Sequence, residues 1–325
     1  MPVCHQINLQ RNFGGGEIYT RFFSEALIAL GWEVELFVAR GAAFWHRLGM
    51  SGVRLREVAG EAQILDALPR RPGLIVTHTA ASPAFAAALA QRHRLTGFVH
   101  MPLHERNPAG FARYERLFAV SRYVLDSARA RGLSNLHPEP MYGVADLAPR
   151  LGEAGAEIAA QSRYDWDRRK LRDRLLGVFA PVASVLTSRP RFERRPGLTL
   201  GIVSRLTPIK QFPRMFSILA PVLARYAQVN LEVFGSGGYA SVRDLQRALA
   251  PMRRQVRFWG HQADVARVYP QLDYVLSGLP EKEALGLNLI EAQACGTPVL
   301  AVNAPPFTET VLDGASGYLF EDPRR

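Results

Sequence analysis

The chain alternates short runs of apolar and β-branched residues with amphipathic stretches of helical length. This alternation is typical of parallel sheets whose strands are joined by crossover helices, because each connection must pass over one face of the sheet. The pattern occurs twice and is interrupted by an arginine- and proline-rich stretch at 189–196. We therefore predict an α/β protein with two Rossmann-like, doubly wound parallel-sheet domains that face each other across a cleft.

The two sets of elements define the predicted domains. The first set belongs to an N-terminal domain at 1–146 and the second to a C-terminal domain at 197–325, with a basic linker or helical segment at 147–196 between them. The loops that follow the strands are the expected site of chemistry, since ligands of such sheets bind at the carboxyl ends of the strands. The predicted strands cover 3–9, 33–38, 53–58, 74–77, 96–100, 117–121, 199–204, 230–234, 256–259, 274–277 and 299–302. The predicted helices cover 17–30, 83–92, 123–131, 212–226, 239–250 and 287–295, and Gly31 is expected to end the first of them.

Composition and cysteine content restrict the class of protein. The 325 residues are 48% hydrophobic and 21% charged, which is typical of a globular protein and argues against a disordered or fibrous one. Cys4 and Cys295 are too far apart in sequence to indicate a disulfide framework or a metal knuckle. Neither a secretory leader nor a run of about 18 apolar residues is visible, so we expect a protein of a reducing, cytoplasmic compartment.

The formal net charge of +11 is unevenly distributed, because +9 of it lies in residues 1–196. A positive field of this kind attracts an anionic glycan, an anionic membrane surface or nucleic acid. An arginine-rich composition by itself also explains the charge, since only three lysines occur. The predicted basic helix at 166–186 fits either a membrane surface or a position between domains with its charges in solvent. Since the sequence has no basic stripe interleaved with aromatic residues, no helix-turn-helix pattern and no zinc spacing, we expect no nucleic-acid partner.

The stretch 278–301 carries the most informative pattern. Glu283 stands where a loop is predicted to enter a helix, and Glu291 follows eight residues later. On a helix, this spacing places both carboxylates along one side, with an angular offset of about 80° and a rise of about 12 Å. Gly286 permits close approach at the helix start, where free N–H groups attract a phosphate. Two carboxylates with a phosphate site between them predict a nucleotide-sugar ligand.

Two motifs carry a resemblance to a known enzyme family. Glu283 and Glu291 match an E-x7-E signature followed by the small-residue run 294–298, and the segment 204–210 matches a second motif with an arginine and a lysine five positions apart. The chain resembles the retaining glycosyltransferases of family 4, which have the two-domain GT-B fold. The resemblance implies that Glu283 holds the transferred sugar and that Glu291 holds the ribose hydroxyls.

The second motif supplies the cations of the predicted site. The resemblance implies that Arg205 and Lys210 hold the diphosphate of the donor, helped by helix amides near Gly286 and Leu287. Fixed cations of this kind stabilise the charge that develops on a departing nucleoside diphosphate without a metal ion. We accordingly expect no metal site and no cofactor, with the nucleotide-diphosphate sugar acting as donor substrate.

The N-terminal half is similar to the family more loosely. Gly15 and Gly16, after the first predicted strand, resemble the glycine loop that lets the backbone approach a ligand closely, and we include them with Gly235 among the donor-binding residues. His100 ends a predicted strand and resembles the histidine that contacts the donor sugar in the family. His78 matches a weaker strand-end histidine of the same kind.

Three other functions compete with this interpretation. The segment 235–240 fits the G-x-G-x-x-A fingerprint of NAD enzymes, but it follows the second strand of its set, and the strand at 256–259 lacks the terminal acid that binds ribose. A nucleotide-sugar epimerase of related fold would use similar residues. A non-enzymatic basic scaffold that binds nucleic acid or a membrane would explain the charge alone.

The favoured prediction is a metal-independent retaining glycosyltransferase that moves a sugar from a nucleotide-diphosphate sugar to a glycan or lipid-linked glycan acceptor. The positive charge suggests an acceptor of cell-envelope polysaccharide or lipopolysaccharide synthesis, and a peripheral position on the inner face of the cell membrane is compatible with it. Family members continue beyond Phe320 with helices that cross back to the first domain, so the C-terminal crossover helices are expected to be missing from this chain.

Overall fold

The computed structural model describes the ranges 1–104, 106–147, 157–165 and 190–322. By its internal contacts the chain divides into two compact units, Met1–Val144 and Ala145–Arg325. Most of the predicted linker at 147–196, including the predicted basic helix at 166–186, lies outside the described residues. Within the described ranges, no helix is both long enough and apolar enough to cross a membrane.

The first unit is built on a six-stranded parallel sheet. The strands are β1 (Val3–Asn8), β2 (Glu33–Ala39), β3 (Val53–Val58), β4 (Leu74–Thr77), β5 (Arg94–Val99) and β6 (Arg116–Ala119). Their order across the sheet is β3-β2-β1-β4-β5-β6, so the direction of winding reverses between β1 and β4. The central strand β1 is buried from its second residue to its last, as expected for a strand covered on both faces.

Helices connect these strands. They are α1 (Gly15–Ala29), α2 (Phe44–Arg47), α3 (Glu61–Ala67), α4 (Pro83–Ala90) and α5 (Arg122–Ala130). Gly31 follows the end of α1 with a φ of +81° and donates its N–H to Ile28 O at 2.9 Å, which confirms the predicted stop. The helices α2 and α3 were not predicted, because a stretch of four to seven residues is too short to display helical periodicity.

The second unit repeats the plan. Its strands are β7 (Leu198–Val203), β8 (Val229–Phe234), β9 (Val256–Gly260), β10 (Tyr274–Leu276), β11 (Val299–Val302) and β12 (Gly317–Phe320). All are parallel, in the order β12-β11-β10-β7-β8-β9, so winding reverses between β7 and β10. The connecting helices are α6 (Phe212–Leu223), α7 (Tyr239–Ala248) and α8 (Leu287–Ala294), and the 3-10 turns Pro208–Lys210 and Pro280–Lys282 precede α6 and α8.

The two parallel sheets confirm the predicted α/β class and explain where the candidate residues lie. The loops after β7 and β10 leave from neighbouring strands at the reversal point of the second sheet, and they carry Lys210 and Glu283. The loop after β1 leads to Gly15, and His100 follows β5 directly. Each of these residues therefore lies at the carboxyl end of a strand, where sheets of this kind bind their ligands.

Candidate functional site

The loop after β7 folds back on itself and carries both predicted cations. The N–H of Thr207 donates to Arg205 O at 3.0 Å, and the N–H of Lys210 donates to Thr207 O at 3.1 Å. Gln211 follows in the left-handed region, with a φ of +54°, and turns the chain into α6. The turn thus places Lys210 at the entry to α6 while Arg205 stays near the end of β7.

Lys210 and Glu283 form an ion pair that joins two loops 73 positions apart in sequence. The Nζ of Lys210 donates to Glu283 Oε2, and the other carboxylate oxygen accepts the N–H of Ala284 at 3.2 Å. Only 19% of the lysine side chain and 13% of the glutamate side chain are exposed. Because partial burial strengthens the attraction between charges, this pair holds both side chains in one arrangement.

The backbones of the same two loops are also fixed to each other. The N–H of Leu279 donates to Lys210 O at 3.1 Å. Gly278 lies against that same carbonyl group, and a Cβ atom on Gly278 would stand 2.1 Å from Lys210 O. Close backbone contact therefore requires glycine at this position and sets the distance at which Lys210 meets Glu283.

Glu283 itself lies outside the helix that follows it. It caps the turn Pro280–Lys282 in an extended conformation, with φ and ψ of −84° and 151°, and α8 begins only at Leu287. The predicted offset and rise between Glu283 and Glu291 assumed a continuous helix and are therefore wrong. The burial of the preceding loop, which packs on Lys210, takes Glu283 out of helical geometry and turns its carboxylate toward the lysine.

Glu291 lies on α8, and its carboxyl group is held by a residue outside that helix that no sequence motif indicates. The hydroxyl group of Tyr269 donates to Glu291 Oε2 at 2.9 Å, and Tyr269 is fully buried. Burial raises the pKa of Glu291 above its usual value, while the tyrosine hydrogen bond and the charge of Lys210 oppose that rise. The influence of Lys210 on Glu291 places the lysine and both predicted carboxylates in one cluster of the second unit.

The start of α8 supplies hydrogen-bond donors to this cluster. Gly286 is the N-cap with a φ of +80°, a conformation that glycine adopts without strain. Among the described residues, the N–H groups of Leu287 and Asn288 meet no hydrogen-bond acceptor. Because these donors lie at the positive end of a helix, they are suited to an anionic oxygen, and the binding of the donor diphosphate at Gly286 and Leu287 stays a prediction.

Among the described residues, Arg205 and Gly235 make no hydrogen bond or ion pair with the cluster of Lys210, Glu283 and Glu291. The side chain of Arg205 is exposed, and within the described ranges its guanidinium group has no hydrogen-bond or ion-pair partner. Gly235 has a φ of +154°, and a Cβ atom there would lie 1.9 Å from Ser204 O. Gly235 therefore permits the loop after β8 to pack against the loop that carries Arg205, and its binding of the donor stays a prediction.

In the first unit the structure links His100 to the second candidate histidine, His78, and through it to Gln6, which was not predicted. His100 Nε2 lies 3.4 Å from Nδ1 of His78, and His78 Nε2 lies 2.9 Å from Oε1 of Gln6. Burial lowers the pKa of His100 to about 4. Gly15 is exposed at the first turn of α1, and a Cβ atom on Gly16 would meet no atom within 4 Å.

Two of these functional candidates were missed by sequence reasoning. Tyr269 stands in a short segment without periodicity, and nothing in the sequence signals that its hydroxyl reaches α8. Gln6 carried a weak signal, because it is a polar side chain inside a strand that is buried over nearly its whole length. A buried polar group needs a partner, so its position alone was a reason to search for one.

The cluster around Lys210 has the properties of an anion site bordered by hydroxyl-binding carboxylates. A lysine ammonium group and free helix amides attract phosphate oxygens, whereas the carboxylates accept hydrogen bonds from hydroxyl groups. Among the described residues, no group of three or more His, Cys, Asp or Glu side chains is arranged to hold a metal ion. The side chains of this cluster are suited to binding, orientation and charge stabilisation.

Residues 189–325 match the family model of glycosyl transferases group 1. The chain is 27% identical to a D-inositol 3-phosphate glycosyltransferase of Corynebacterium kroppenstedtii, over 95% of this chain and 74% of that protein. The matched family region contains Arg205, Lys210, Glu283 and Glu291. The family match and this relative support a glycosyltransferase.

Solved structures identify the fold over almost the whole chain. Anabaena Alr3699/HepE, solved with UDP, matches with a TM-score of 0.70 at 18% identity, covering 99% of this chain and 86% of that one. The pneumococcal O-GlcNAc transferase GtfA, solved with UDP and GlcNAc, matches with a TM-score of 0.64 at 12% identity, covering 98% and 88%. These matches confirm the predicted GT-B fold class.

Proposed function

We propose that this protein is a retaining glycosyltransferase that transfers a sugar from a nucleotide-diphosphate sugar to a glycan or lipid-linked glycan acceptor. The observation that carries the proposal is the ion pair between Lys210 and Glu283, with the partly buried carboxyl group of Glu291 close enough to be influenced by the lysine charge. The pair lies in the region that matches the glycosyltransferase family. Relatives of the fold that were solved with UDP support a nucleotide-sugar donor.

The cations act on the departing group. When the bond between the anomeric carbon and the diphosphate breaks, negative charge develops on the diphosphate oxygen. Lys210 and Arg205 neutralise this charge, and the N–H groups at Leu287 donate hydrogen bonds to the same phosphate oxygens. Because these donors are fixed before reaction, they stabilise the transition state without rearrangement and without a metal ion.

The carboxylates orient the donor. Glu283, held by Lys210, accepts hydrogen bonds from hydroxyl groups of the transferred sugar, since each carboxylate oxygen has lone pairs beyond those already used. Glu291 accepts the ribose hydroxyls through the oxygen that Tyr269 does not occupy. Because Lys210 pairs with Glu283 and its charge also acts on Glu291, the sugar, the diphosphate and the ribose are recognised by one cluster.

The first unit contributes His100, which contacts the donor sugar, and the glycine loop at Gly15 and Gly16, which permits close approach of a substrate. Gly235 belongs to the donor-binding set because it lets the loop after β8 pack against Ser204, the residue before Arg205. These assignments are supported by the position of the residues after strands of the sheet and by the resemblance to family 4.

Retention follows from attack on the face that the leaving group occupies. The acceptor hydroxyl forms its bond to the anomeric carbon on that face, and its proton passes to the departing phosphate oxygen. No side chain of the first unit is required as a nucleophile in this scheme. The positive charge of residues 1–196 favours an anionic or lipid-linked acceptor, as in cell-envelope polysaccharide or lipopolysaccharide synthesis, and a protein at the inner face of the cell membrane.

The test uses Glu283→Gln and Lys210→Ala with Lys282→Ala as the matched control. Lys282 is exposed in the same turn as Pro280, so its loss removes a nearby charge without touching the pair. A thermal-shift panel of UDP-, GDP- and ADP-sugars first identifies the donor, since a ligand at a hundred times its Kd stabilises by about 2.7 kcal/mol. Transfer to a lipid-linked acceptor extract is then followed with that donor.

We expect both site variants to abolish transfer with unchanged circular dichroism, and the control to keep the wild-type rate. Wild-type rates in both site variants would refute the assignment of the site. Conversion of the donor without any acceptor would instead identify an epimerase. The anomeric configuration of the product, read by NMR, decides between retention and inversion.

A further inference from the structure

Three polar side chains of the first unit lie in a row across adjacent strands. Gln6 belongs to β1, His78 follows β4 and His100 follows β5, and these strands are neighbours in the sheet. Gln6 Oε1 lies 2.9 Å from Nε2 of His78, whose Nδ1 lies 3.4 Å from Nε2 of His100. The row is a continuous hydrogen-bond chain from the centre of the sheet to the end of β5.

Both histidine rings are neutral, because they lie among aromatic side chains. His78 stacks on Phe98 with ring centres 5.2 Å apart, and Tyr19 meets His100 edge-on at 5.0 Å. Burial lowers the pKa of His100 to about 4 and brings the pKa of His78 well below its usual value, with a further contribution at His78 from the neighbouring His100. Each neutral ring carries one N–H group and one unprotonated nitrogen.

The number of available hydrogen atoms determines which groups donate and which accept along this hydrogen-bond chain. Ser24 Oγ lies 2.7 Å from Thr20 O and 3.2 Å from Gln6 Oε1. A carbonyl oxygen only accepts, so the single hydroxyl hydrogen goes to Thr20 O and none remains for an acceptor on Gln6. The amide nitrogen of Gln6, Nε2, is buried without any hydrogen-bond partner.

Turning the Gln6 amide by 180° resolves this conflict. Its nitrogen then donates one hydrogen to Ser24 Oγ and the other to Nε2 of His78, while only the amide oxygen stays unpaired. A buried carbonyl oxygen without a hydrogen bond is tolerated more readily than a buried amide NH2 group without one, because the NH2 group has two hydrogens to donate. Because oxygen and nitrogen of an amide have the same shape, hydrogen-bond partners decide between the two orientations.

The orientation of the amide sets the tautomers of both rings. With Nε2 of His78 accepting from Gln6, the hydrogen of that ring lies on Nδ1 and is donated to Nε2 of His100. His100 must then carry its own hydrogen on Nδ1. Within the described ranges Nδ1 of His100 has no hydrogen-bond partner, so this N–H is available to a ligand.

We propose that Gln6 and His78 are positioning residues that fix His100 as the Nδ1–H tautomer, so that it presents a hydrogen-bond donor to an acceptor oxygen of the sugar nucleotide. The role toward the substrate rests on the proposed function, whereas the tautomer does not. A fixed donor distinguishes an oxygen that only accepts, such as a ring or phosphate oxygen, from a group that only donates.

The tautomers are measured directly on the whole protein. Long-range proton–nitrogen NMR spectra of the protein labelled with ¹⁵N-histidine distinguish a protonated Nδ1 from a protonated Nε2, and His78→Asn and His100→Gln variants assign the signals. We expect Nδ1–H in both rings between pH 6 and 8, where His100 is neutral. A protonated Nε2 in His100 would overturn the proposal, whether or not the protein is active.

Two variants at one position separate hydrogen bonding from packing. His78→Phe keeps an aromatic ring against Phe98 but cannot donate, whereas the amide nitrogen of His78→Asn lies close to the former Nδ1 and can still donate to His100. We expect His78→Phe to lower turnover on the order of tenfold or more and His78→Asn to restore much of it, because tautomer and orientation of a histidine control its reactivity. The exposed His46→Gln serves as control with wild-type rate.

The outcomes separate this proposal from the proposed function. If Glu283→Gln and Lys210→Ala abolish transfer while His78→Phe keeps the wild-type rate, the positioning role is refuted and the function stands. Equal losses in His78→Phe and His78→Asn, with Nδ1–H of His100 retained in both spectra, would assign His78 to packing and would also refute the role. If the wild-type protein transfers no sugar, the NMR spectra still decide the tautomer.

Discussion

Tyr269 donates its hydroxyl hydrogen to Glu291 Oε2 across 2.9 Å, which joins a fully buried side chain of one turn to a carboxyl group on α8. The hydrogen bond favours the charged form of the carboxyl group, against the effect of burial. Within the described ranges, the other carboxylate oxygen of Glu291 has no hydrogen-bond partner. The tyrosine therefore orients the group that we assign to the ribose.

Tyr269→Phe is expected to weaken binding of the donor nucleotide by about fivefold, because one net hydrogen bond to a polar partner contributes about 1 kcal/mol. The measurement is titration calorimetry with the nucleotide selected by thermal shift. The variant keeps the aromatic ring in its place, so circular dichroism should not change. Unchanged nucleotide affinity would show that Tyr269 serves the packing of the second unit alone.

The raised pKa of Glu291 predicts a specific dependence of stability on pH. The folded protein holds the proton on this carboxyl group to a higher pH than the unfolded chain does. As pH rises from the ordinary value of 4.5 through the raised pKa, the contribution of Glu291 to the free energy of unfolding therefore decreases. Urea unfolding of the wild type and of Glu291→Gln across this window measures it, and the decrease should be absent from the variant. Equal pH dependence in both proteins would contradict the prediction.

The opposite sign is expected for His100, whose pKa is lowered to about 4 by burial. The unfolded chain takes up a proton at this residue below its ordinary pKa of 6.5, and the folded protein does so only near pH 4. The free energy of unfolding thus falls as pH decreases through this window. We expect His100→Gln to show a shallower fall in urea unfolding than the wild type between pH 6.5 and 4. Parallel curves for the two proteins would exclude a buried neutral His100.

Gly278→Ala is expected to disturb the site through the backbone. Its Cβ atom would stand 2.1 Å from Lys210 O, so the two loops must separate, at a cost of about 1–3 kcal/mol in stability. Transfer should fall with it, because Lys210 moves relative to Glu283. Gly238→Ala is the matched control, since a Cβ atom at Gly238 meets nothing within 4 Å. Thermal unfolding and the transfer rate are measured on both, and wild-type values for Gly278→Ala would show that the close approach is not required.

Gly16→Ala tests the glycine loop separately from packing. A Cβ atom there has no neighbour within 4 Å, and Gly16 lies in α1, so alanine should keep or raise stability by up to about 1 kcal/mol. If a substrate approaches the backbone at this point, the same variant should bind donor or acceptor several-fold more weakly. Thermal unfolding and the KM values for both substrates measure the two effects. A stable variant with unchanged KM values would remove Gly16 from the site.

The sequence predicted the fold well, because the information it needs is local. The run Leu74–Thr77 is largely apolar over the length of one strand, Val53–Val58 mostly alternates apolar with charged residues, and the helices between strands show the helical period. The same reasoning placed Lys210 and Glu283 after strands. Reasoning from hydrophobic periodicity failed where a segment was too short or too irregular to show a period. The helical geometry assigned to Glu283 was therefore wrong, and the short helix α3 was not predicted.

Pattern and resemblance together indicated which side chains carry chemistry, but not their partners. Arg205 and Lys210 were grouped as two cations of one motif, yet only Lys210 is bound by a carboxylate within the described residues. The ion pair between Lys210 and Glu283 depends on the backbone contact at Gly278. Neither this glycine nor its neighbours in the sequence reveal that contact. Likewise, Gln6 was recognisable only as a polar residue in a predicted strand.

The amino-acid sequence by itself determined two parallel sheets, the residues at their carboxyl ends and the chemical character of those residues, because hydrophobic period and turn chemistry act over a few positions. Only the tertiary structure decided that Lys210 meets Glu283, that Tyr269 meets Glu291 and that Gln6, His78 and His100 form one chain. Those contacts span 22 to 73 positions and depend on the order of strands in each sheet, which brings distant loops to one edge.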